Sequence, residues 1–391
     1  MRIGIVLSKT PEYSETFFIS KIKGLIASGH KVVLFVQNDD NPFSLCDVKK
    51  VPSLKNKNLL MRLFLLCTTA FNLLFRSPQV LLKFLRLERS VKRSRVQILK
   101  NLYSNSHILK EKLDWVHFGF ATIAIQSENV AKAIQAKMAV SFRGYDINVY
   151  PEEQSNCYDL VWKRIDKVHA VSQSILKTAY NLGLSRETVC SIITPAIDIS
   201  RFKLQKKKNS NTIPQILTIG RLHEVKGHKY VIEALKLLSD KRINFNYKIV
   251  GEGQQYESLK KLIKGYELEN SIELVGKLKH EQTLNYLRDS DFYIQYSISE
   301  GFCNALLEAQ ASGLLCIASD GGGLPENVLH EKTGWIVPKK NSELLLDTIL
   351  KIIALPNDEK IKISEQAQNR IEEKFSLSIQ KELFKNFYEA N

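Results

Sequence analysis

From its first residues the chain alternates short, nearly unbroken apolar runs with longer stretches whose apolar positions recur every three or four residues. The runs at 2–7, 31–36, 115–118, 138–142 and 167–171 have the length and density of strands covered on both faces. The periodic stretches at 16–28, 122–135 and 172–182 predict helices between them. Residues 203–214 are polar and basic without periodicity, which reads as a linker. The alternation then restarts, with strands expected at 215–220, 246–250, 272–275, 292–296 and 315–318. This order predicts an α/β protein of two doubly wound, Rossmann-like parallel sheets, with domains at 1–203 and 215–374 and a linker at 204–214. A length of 391 residues suits two domains. Ligands of such sheets bind beyond the carboxyl ends of the strands, so two of them predict a cleft between domains.

Candidate chemistry lies at two of those strand ends. Residues 300–308 carry carboxylates at both ends, Glu300 and Glu308, around Gly301, Phe302, Asn304 and Ala305. Glu300 follows a strand in a Gly-containing turn, and Glu308 lies in the helix expected at 304–311. A helix beginning at such a turn offers backbone N–H groups to a phosphate. Carboxylates accept hydrogen bonds from sugar hydroxyls. Phosphate in the middle and a sugar at each end is the shape of a nucleotide-sugar. The cations it needs are upstream: Arg221 and Lys226 follow the strand that ends at Gly220. Alone they read equally well as solvated charges on a basic protein.

The Arg221/Lys226 pair, the Glu300/Glu308 segment, the stretch Asp320-Gly321-Gly322-Gly323-Leu324-Pro325-Glu326 and Thr333-Gly334-Trp335 together resemble the retaining family 4 glycosyltransferases of the GT-B fold. Val275-Gly276-Lys277 and Pro195-Ala196-Ile197-Asp198 are similar to the same family. The match runs in order through nearly the whole C-terminal half. It implies retaining transfer of a hexosyl or N-acetylhexosaminyl group from a UDP- or GDP-sugar, with no bound metal and no cofactor. It implies Arg221 and Lys226 on the diphosphate, Glu308 on the ribose and Glu300 at the donor sugar, with Gly276 and Lys277 near the base. It also implies that the helix at 375–391 crosses back onto the N-terminal domain.

The N-terminal half resembles the family more loosely. Tyr13-Ser14-Glu15-Thr16-Phe17 looks like the loop of polysaccharide-assembling members, and His117-Phe118-Gly119 like their acceptor-side histidine motif. Ser141-Phe142-Arg143-Gly144-Tyr145-Asp146 is similar to a segment in which many relatives carry a histidine where Arg143 stands. The resemblance implies Glu15, Arg143 and Asp146 on the acceptor side and His117 among the catalytic residues.

Charge adds a further expectation. The net charge is +15, and residues 51–100 hold eleven Lys or Arg against the single acid Glu88. Lys83, Arg86, Arg89, Lys92 and Arg93 are among them, beside the longest apolar stretch, 59–75. That stretch contains Arg62 and is soon followed by Pro78, so it is too short and interrupted for a membrane span. A basic, apolar helix reads as one lying on an anionic membrane; the plainer reading packs 59–75 into the domain core. No nucleic-acid recognition motif accompanies the charge, so no nucleic-acid partner is expected. Six cysteines without metal-ligand spacing read as reduced thiols, and residues 1–7 read as a strand rather than a signal peptide. The expected location is the cytoplasm, peripherally on the inner face of the plasma membrane, with a lipid-linked or oligosaccharide acceptor.

Other motifs have plainer readings. Asp289-Ser290-Asp291 has the form of a metal-binding pair but falls between a helix and a strand. Gly251-Glu252-Gly253 is too short for a dinucleotide fingerprint. Gly321-Gly322-Gly323 suits either a phosphate cradle or a tight turn. His223 and His228, flanking Lys226, read as solvated. Two other activities fit the same two-domain pattern: a nucleotide-sugar epimerase, or a glycan- or lipid-binding protein that has lost catalysis.

Overall fold

The computed structural model describes residues 1–11, 16–37, 42–51, 57–202 and 213–389. Glu15, the loop around Tyr13 and most of the 204–214 stretch lie outside the described residues. The chain forms two compact units. The first comprises Met1–Val171, Ile175–Ile193 and Lys381–Asn391; the second comprises Ser172–Ser174 and Thr194–Gln380. Residues 194–202 thus cluster with the second unit, ahead of the polar stretch. Ile197 makes a bridge to Ser376, and the Phe202 ring is buried beside His280.

The first unit is built on strands β1 (Arg2–Leu7), β2 (Lys31–Val36), β3 (Asp47–Lys50), β4 (Trp115–Phe118), β5 (Lys137–Phe142), β6 (Lys167–Ala170) and β7 (Val189–Ile192). All pair in parallel, in the order β3-β2-β1-β4-β5-β6-β7. The strand period of two sends Ile3, Ile5, Val32 and Leu34 to one face. There they pack with Phe18, Ile22 and Leu25 of the helix Thr16–Ala27 and with Phe384, Phe387 and Tyr388 of the helix Leu377–Glu389. The helix expected at 122–135 is two short ones, Ala121–Ala124 and Val130–Ala133. The break falls where Gln126 takes a left-handed φ of 67°.

Residues 59–90 form two helices, Leu59–Arg76 and Pro78–Ser90, bent by 119° at the break. Among the described residues no single helix is long and apolar enough to cross a membrane. Arg93 is not a surface cation. It donates to Glu88 and Glu128, both buried, at 2.7 Å each, while Asn101 and Asn129 also donate to Glu88.

The second unit holds β8 (Gln215–Ile219), β9 (Asn246–Val250), β10 (Ile272–Gly276), β11 (Phe292–Gln295), β12 (Leu315–Ser319) and β13 (Trp335–Val337), in the order β10-β9-β8-β11-β12-β13. These strands too are all parallel. The helix His228–Asp240 buries Val231, Ile232, Leu235 and Leu238 and packs with the helix Ser342–Ala354. The helix Asn304–Ala311 packs with Asn357–Lys374. The order reverses between β8 and β11. The crevice for a ligand is expected at the carboxyl ends of those two strands, and the residues that follow each strand decide what it can hold.

Candidate active site

Arg221 and Lys226 lie on the loop after β8, and Glu300 on the loop after β11, so the switch point brings together three residues singled out from the sequence. Lys226 Nζ donates to Glu300 Oε2, with side chains 12% and 19% exposed. Burial alone disfavours the Lys226 charge, but attraction to Glu300 and the hydrogen bond outweigh it and hold the ammonium above its ordinary value. Arg221 is exposed.

A buried polar chain runs beneath this pair. Tyr293 Oη donates to Gln295 Oε1 at 2.9 Å, Gln295 Nε2 to Ser297 Oγ at 2.8 Å, and Ser297 Oγ to Glu300 Oε2 at 3.3 Å. Gln295 and Ser297 are buried, so the carboxylate of Glu300 is aimed from below as well as by Lys226. Neither residue stands out in the sequence, where both fall within or just after an apolar run.

The loops themselves are locked backbone to backbone. Ile298 N donates to Val225 O at 2.7 Å. A Cβ on Gly321 would sit 2.1 Å from Ser297 O, one on Gly322 2.3 Å from Glu300 O, and one on Gly323 2.0 Å from Gly301 O. Gly322 also needs a left-handed φ of 65°. The triple glycine therefore lets residues 321–323 lie directly against the Glu300 loop.

The helix Asn304–Ala311 starts from Cys303 without a side-chain cap hydrogen bond. Asn327 fixes that start: its amide donates to Cys303 O at 3.0 Å and its carbonyl accepts from Cys303 N at 3.2 Å. The backbone at Gly301, Asn304 and Ala305 thus lies at the switch point, whereas the Phe302 ring turns away to pack on Phe375, 5.7 Å between centroids. The Cys303 thiol is pushed up to about 12, first by burial and then by Glu300, so it stays protonated.

Glu308 meets a residue that sequence reasoning missed. His280 Nε2 donates to Glu308 Oε1 at 2.9 Å, joining the helix His280–Arg288 to Asn304–Ala311. Its one signal is position: it opens the helix after β10, so it sits at a strand-end loop like the other site residues. Gly276 ends β10 with a φ of 84°, and Lys277 pairs with Glu252 at the surface, 2.7 Å.

Two plainer expectations meet different outcomes. His228 is not solvated: it is buried, its Nε2 donates to Arg221 O at 3.1 Å, and burial pushes it down to about 4. Asp291 Oδ2 accepts from Gln215 N at 2.9 Å and Asp289 lies by Arg288, so Asp289-Ser290-Asp291 ties the starts of β8 and β11, away from the Glu300 end. Among the described residues no group of three His, Cys, Asp or Glu could hold a metal ion.

In the first unit, His117 lies within β4 and is fully buried. Its ring nitrogens meet Ser141 Oγ at 2.8 Å, Lys21 Nζ at 3.0 Å and Tyr388 Oη at 2.6 Å; His169 continues the network at 2.7 Å from Ser141. The expected catalytic role for His117 requires a ring that reaches a ligand, and this ring instead closes an internal polar network. Lys21, buried beside it, is held well below its ordinary value by burial and then by Arg143. Arg143 stacks on Phe17, 3.5 Å from the ring centroid. Asp146 is buried and accepts from Ala121 N and Arg143 N, both at 2.8 Å, which makes it a tie between the loops after β4 and β5 rather than an open acceptor contact.

Comparison with known proteins bears on the family and the fold. Residues 198–370 match the family described as Glycosyl transferases group 1. Over 405 residues the chain is 27% identical to the putative colanic acid biosynthesis glycosyltransferase WcaL of Escherichia coli strain K12, covering 97% of each. It is 28% identical over 245 residues to the amylovoran biosynthesis glycosyltransferase AmsK of Erwinia amylovora, covering 61% of this chain and 60% of that one. Among solved structures, a glycosyltransferase from Rickettsia africae ESF-5 is similar with a TM-score of 0.70 at 21% identity, over 100% of this chain and 99% of the other. Anabaena Alr3699/HepE in complex with UDP-glucose is similar at 0.71 and 16% identity, over 99% and 98%. These likenesses show the GT-B fold.

Proposed function

We propose that the chain is a glycosyltransferase of the group whose model matches residues 198–370, and that it moves a sugar, with retained anomeric configuration, from a nucleotide-sugar to a lipid-linked or oligosaccharide acceptor in polysaccharide assembly. The observation that carries this is the meeting of Arg221, Lys226 and Glu300 at the switch point, beside the helix start at Asn304. Arg221, Lys226 and the backbone N–H groups of residues 304 and 305 take the diphosphate. Glu308, steadied by His280, accepts from the ribose, and Glu300 accepts from hydroxyls of the donor sugar. Gly276 and Lys277 border the base. The anomeric C–O bond to the β-phosphate breaks while the acceptor oxygen adds on the same face. A β-phosphate oxygen takes the acceptor proton, leaving a glycoside and a nucleoside diphosphate. Charge developing on that diphosphate is what the two cations stabilise, without a metal ion.

UDP is favoured over GDP by the likeness to a protein solved with UDP-glucose. The relatives named for colanic acid and amylovoran biosynthesis favour a glycan acceptor. The basic stretch 51–100 favours an acceptor met at the inner, anionic face of the plasma membrane. The test is a panel of labelled UDP- and GDP-sugars, incubated with and without membrane extract and with a chelator present. Label should pass to an acceptor with the donor's anomeric configuration. Conversion of the donor sugar with no acceptor would indicate an epimerase instead, and activity restored only by added magnesium or manganese would overturn the metal-free mechanism.

A further inference from the structure

The helix Leu59–Arg76 is oriented against the usual rule for a helix on a folded unit. Among its described side chains Thr69 and Leu73 are the buried ones, while Leu60, Phe64, Phe71 and Phe75 are 78%, 62%, 62% and 69% exposed. At 100° per residue those four fall within one narrow stripe, which Cys67 and Leu74, both exposed, border on one side. The Phe71 and Phe75 rings lie 4.3 Å apart between centroids, forming an aromatic ridge. Contiguous apolar exposure of this kind marks an interaction surface.

Charge identifies the partner. No acidic residue occurs between Asp47 and Glu88, and Glu88 is buried and fully occupied by Arg93, Asn101 and Asn129. Lys57, Arg62 and Arg76 lie before, within and at the end of the helix, and Lys83, Arg86 and Arg89 on the next. A ridge of Phe and Leu on a segment whose only charges are cations complements an anionic lipid interface, where aliphatic and aromatic side chains enter the acyl boundary and the long cationic side chains reach the phosphates. We propose that the helix Leu59–Arg76 lies in the plane of an anionic bilayer and inserts Leu60, Phe64, Phe71 and Phe75 into it. This rests on the membrane-surface reading above and extends it from attraction by charge to insertion by a named face.

Sedimentation with vesicles of phosphatidylcholine alone, and with about a third phosphatidylglycerol, separates the two levels. The full chain should bind the anionic vesicles, and raised salt should weaken that binding without abolishing it. Joint Phe64→Ser, Phe71→Ser and Phe75→Ser should cut the salt-resistant part by about tenfold or more while the melting temperature stays unchanged. Phe71→Trp should shift its fluorescence to the blue on binding and be quenched by brominated acyl chains. Wild-type protein that ignores anionic vesicles overturns the membrane reading itself. Binding that the triple variant retains in full, with no blue shift at Phe71→Trp, leaves charge attraction standing and overturns insertion. A wild-type dimer that the triple variant dissociates, with no vesicle binding, assigns the ridge to a second copy of the chain and also overturns the proposal.

Discussion

The Lys226 ammonium donates to Glu300 Oε2, joining the loop after β8 to the loop after β11 across the point where the strand order reverses. Each side chain satisfies the other in a site that solvent barely reaches. On the proposed function, a diphosphate that takes the Lys226 hydrogen bond would free Glu300 to accept from sugar hydroxyls, so that the two ends of the donor would be bound in concert.

Lys226→Ala and Arg221→Ala should therefore differ. On the proposed function both remove a cation from the leaving diphosphate, and each should lower turnover by on the order of 100-fold, about 3 kcal/mol. Lys226→Ala also strands Glu300 in a poorly hydrated site and should destabilise the second unit by about 1–3 kcal/mol. Arg221 is exposed, and its loss should change stability by no more than about 0.5 kcal/mol. Turnover and urea unfolding of the two variants check this. Equal stability would mean the Lys226–Glu300 pair contributes nothing to the fold.

Glu308→Ala should weaken nucleotide binding by about 10- to 100-fold, the loss of roughly 1.5–3 kcal/mol for a hydrogen bond to a charged group. His280→Ala should weaken it by less, about three- to tenfold, because His280 only holds the carboxylate. Calorimetry with UDP reads both. A larger effect at His280 than at Glu308 would place the histidine, not the carboxylate, on the ligand.

Both central strands and the helix Asn304–Ala311 were legible because their apolar runs are long and dense. The edge strands Asp47–Lys50 and Val189–Ile192 were not: they are mostly exposed and carry little apolar signal. His228 was misread although its signal was present. It opens a helix whose other buried positions are 231, 232, 234, 235 and 238, and that spacing puts residue 228 on the inner face. Lys21 follows the same logic, between Phe18 and Ile22 on the inner side of its helix. The pairing of Lys226 with Glu300, 74 residues away, and of Arg93 with Glu128, 35 away, depends on tertiary geometry that no local pattern encodes.

Gly322→Ala should damage the site from outside it. The new methyl would meet Glu300 O at 2.3 Å on a backbone held at a left-handed φ of 65°. The contact is with backbone and cannot be relieved by a side-chain rotation, so the Glu300 loop must shift. A cost of about 1–3 kcal/mol in stability is expected, with turnover falling further than nucleotide affinity. Unaltered turnover would show that the Glu300 loop tolerates displacement and that its geometry is not critical.

Acid should destabilise the protein well above the range in which exposed carboxylates titrate. Burial pushes His107 and His228 down to about 4, and holds His117 and His169 well below their ordinary values, with Lys21 adding to both. In the unfolded chain each protonates near 6.5. Between about pH 6.5 and 4 the unfolded chain therefore binds protons that the native one refuses. The stability these four contribute is complete above 6.5 and is lost as the pH falls through that window. Asp146 runs the other way. Burial raises its carboxyl to about 7, against an ordinary 3.8, so its contribution is complete below 3.8 and is lost as the pH rises toward 7. His30 is lowered by burial too, so the histidines outnumber Asp146 and set the net slope. His107 and His228 alone should each remove about 1–2 kcal/mol on going from about pH 7.5 to 5. Urea titrations at the two pH values should show a lower midpoint at the acid one. His228→Gln, which keeps a donor for Arg221 O, should reduce the difference for the second unit. An acid midpoint equal to or above the neutral one would mean that Asp146 outweighs the histidines, or that they protonate inside the folded units.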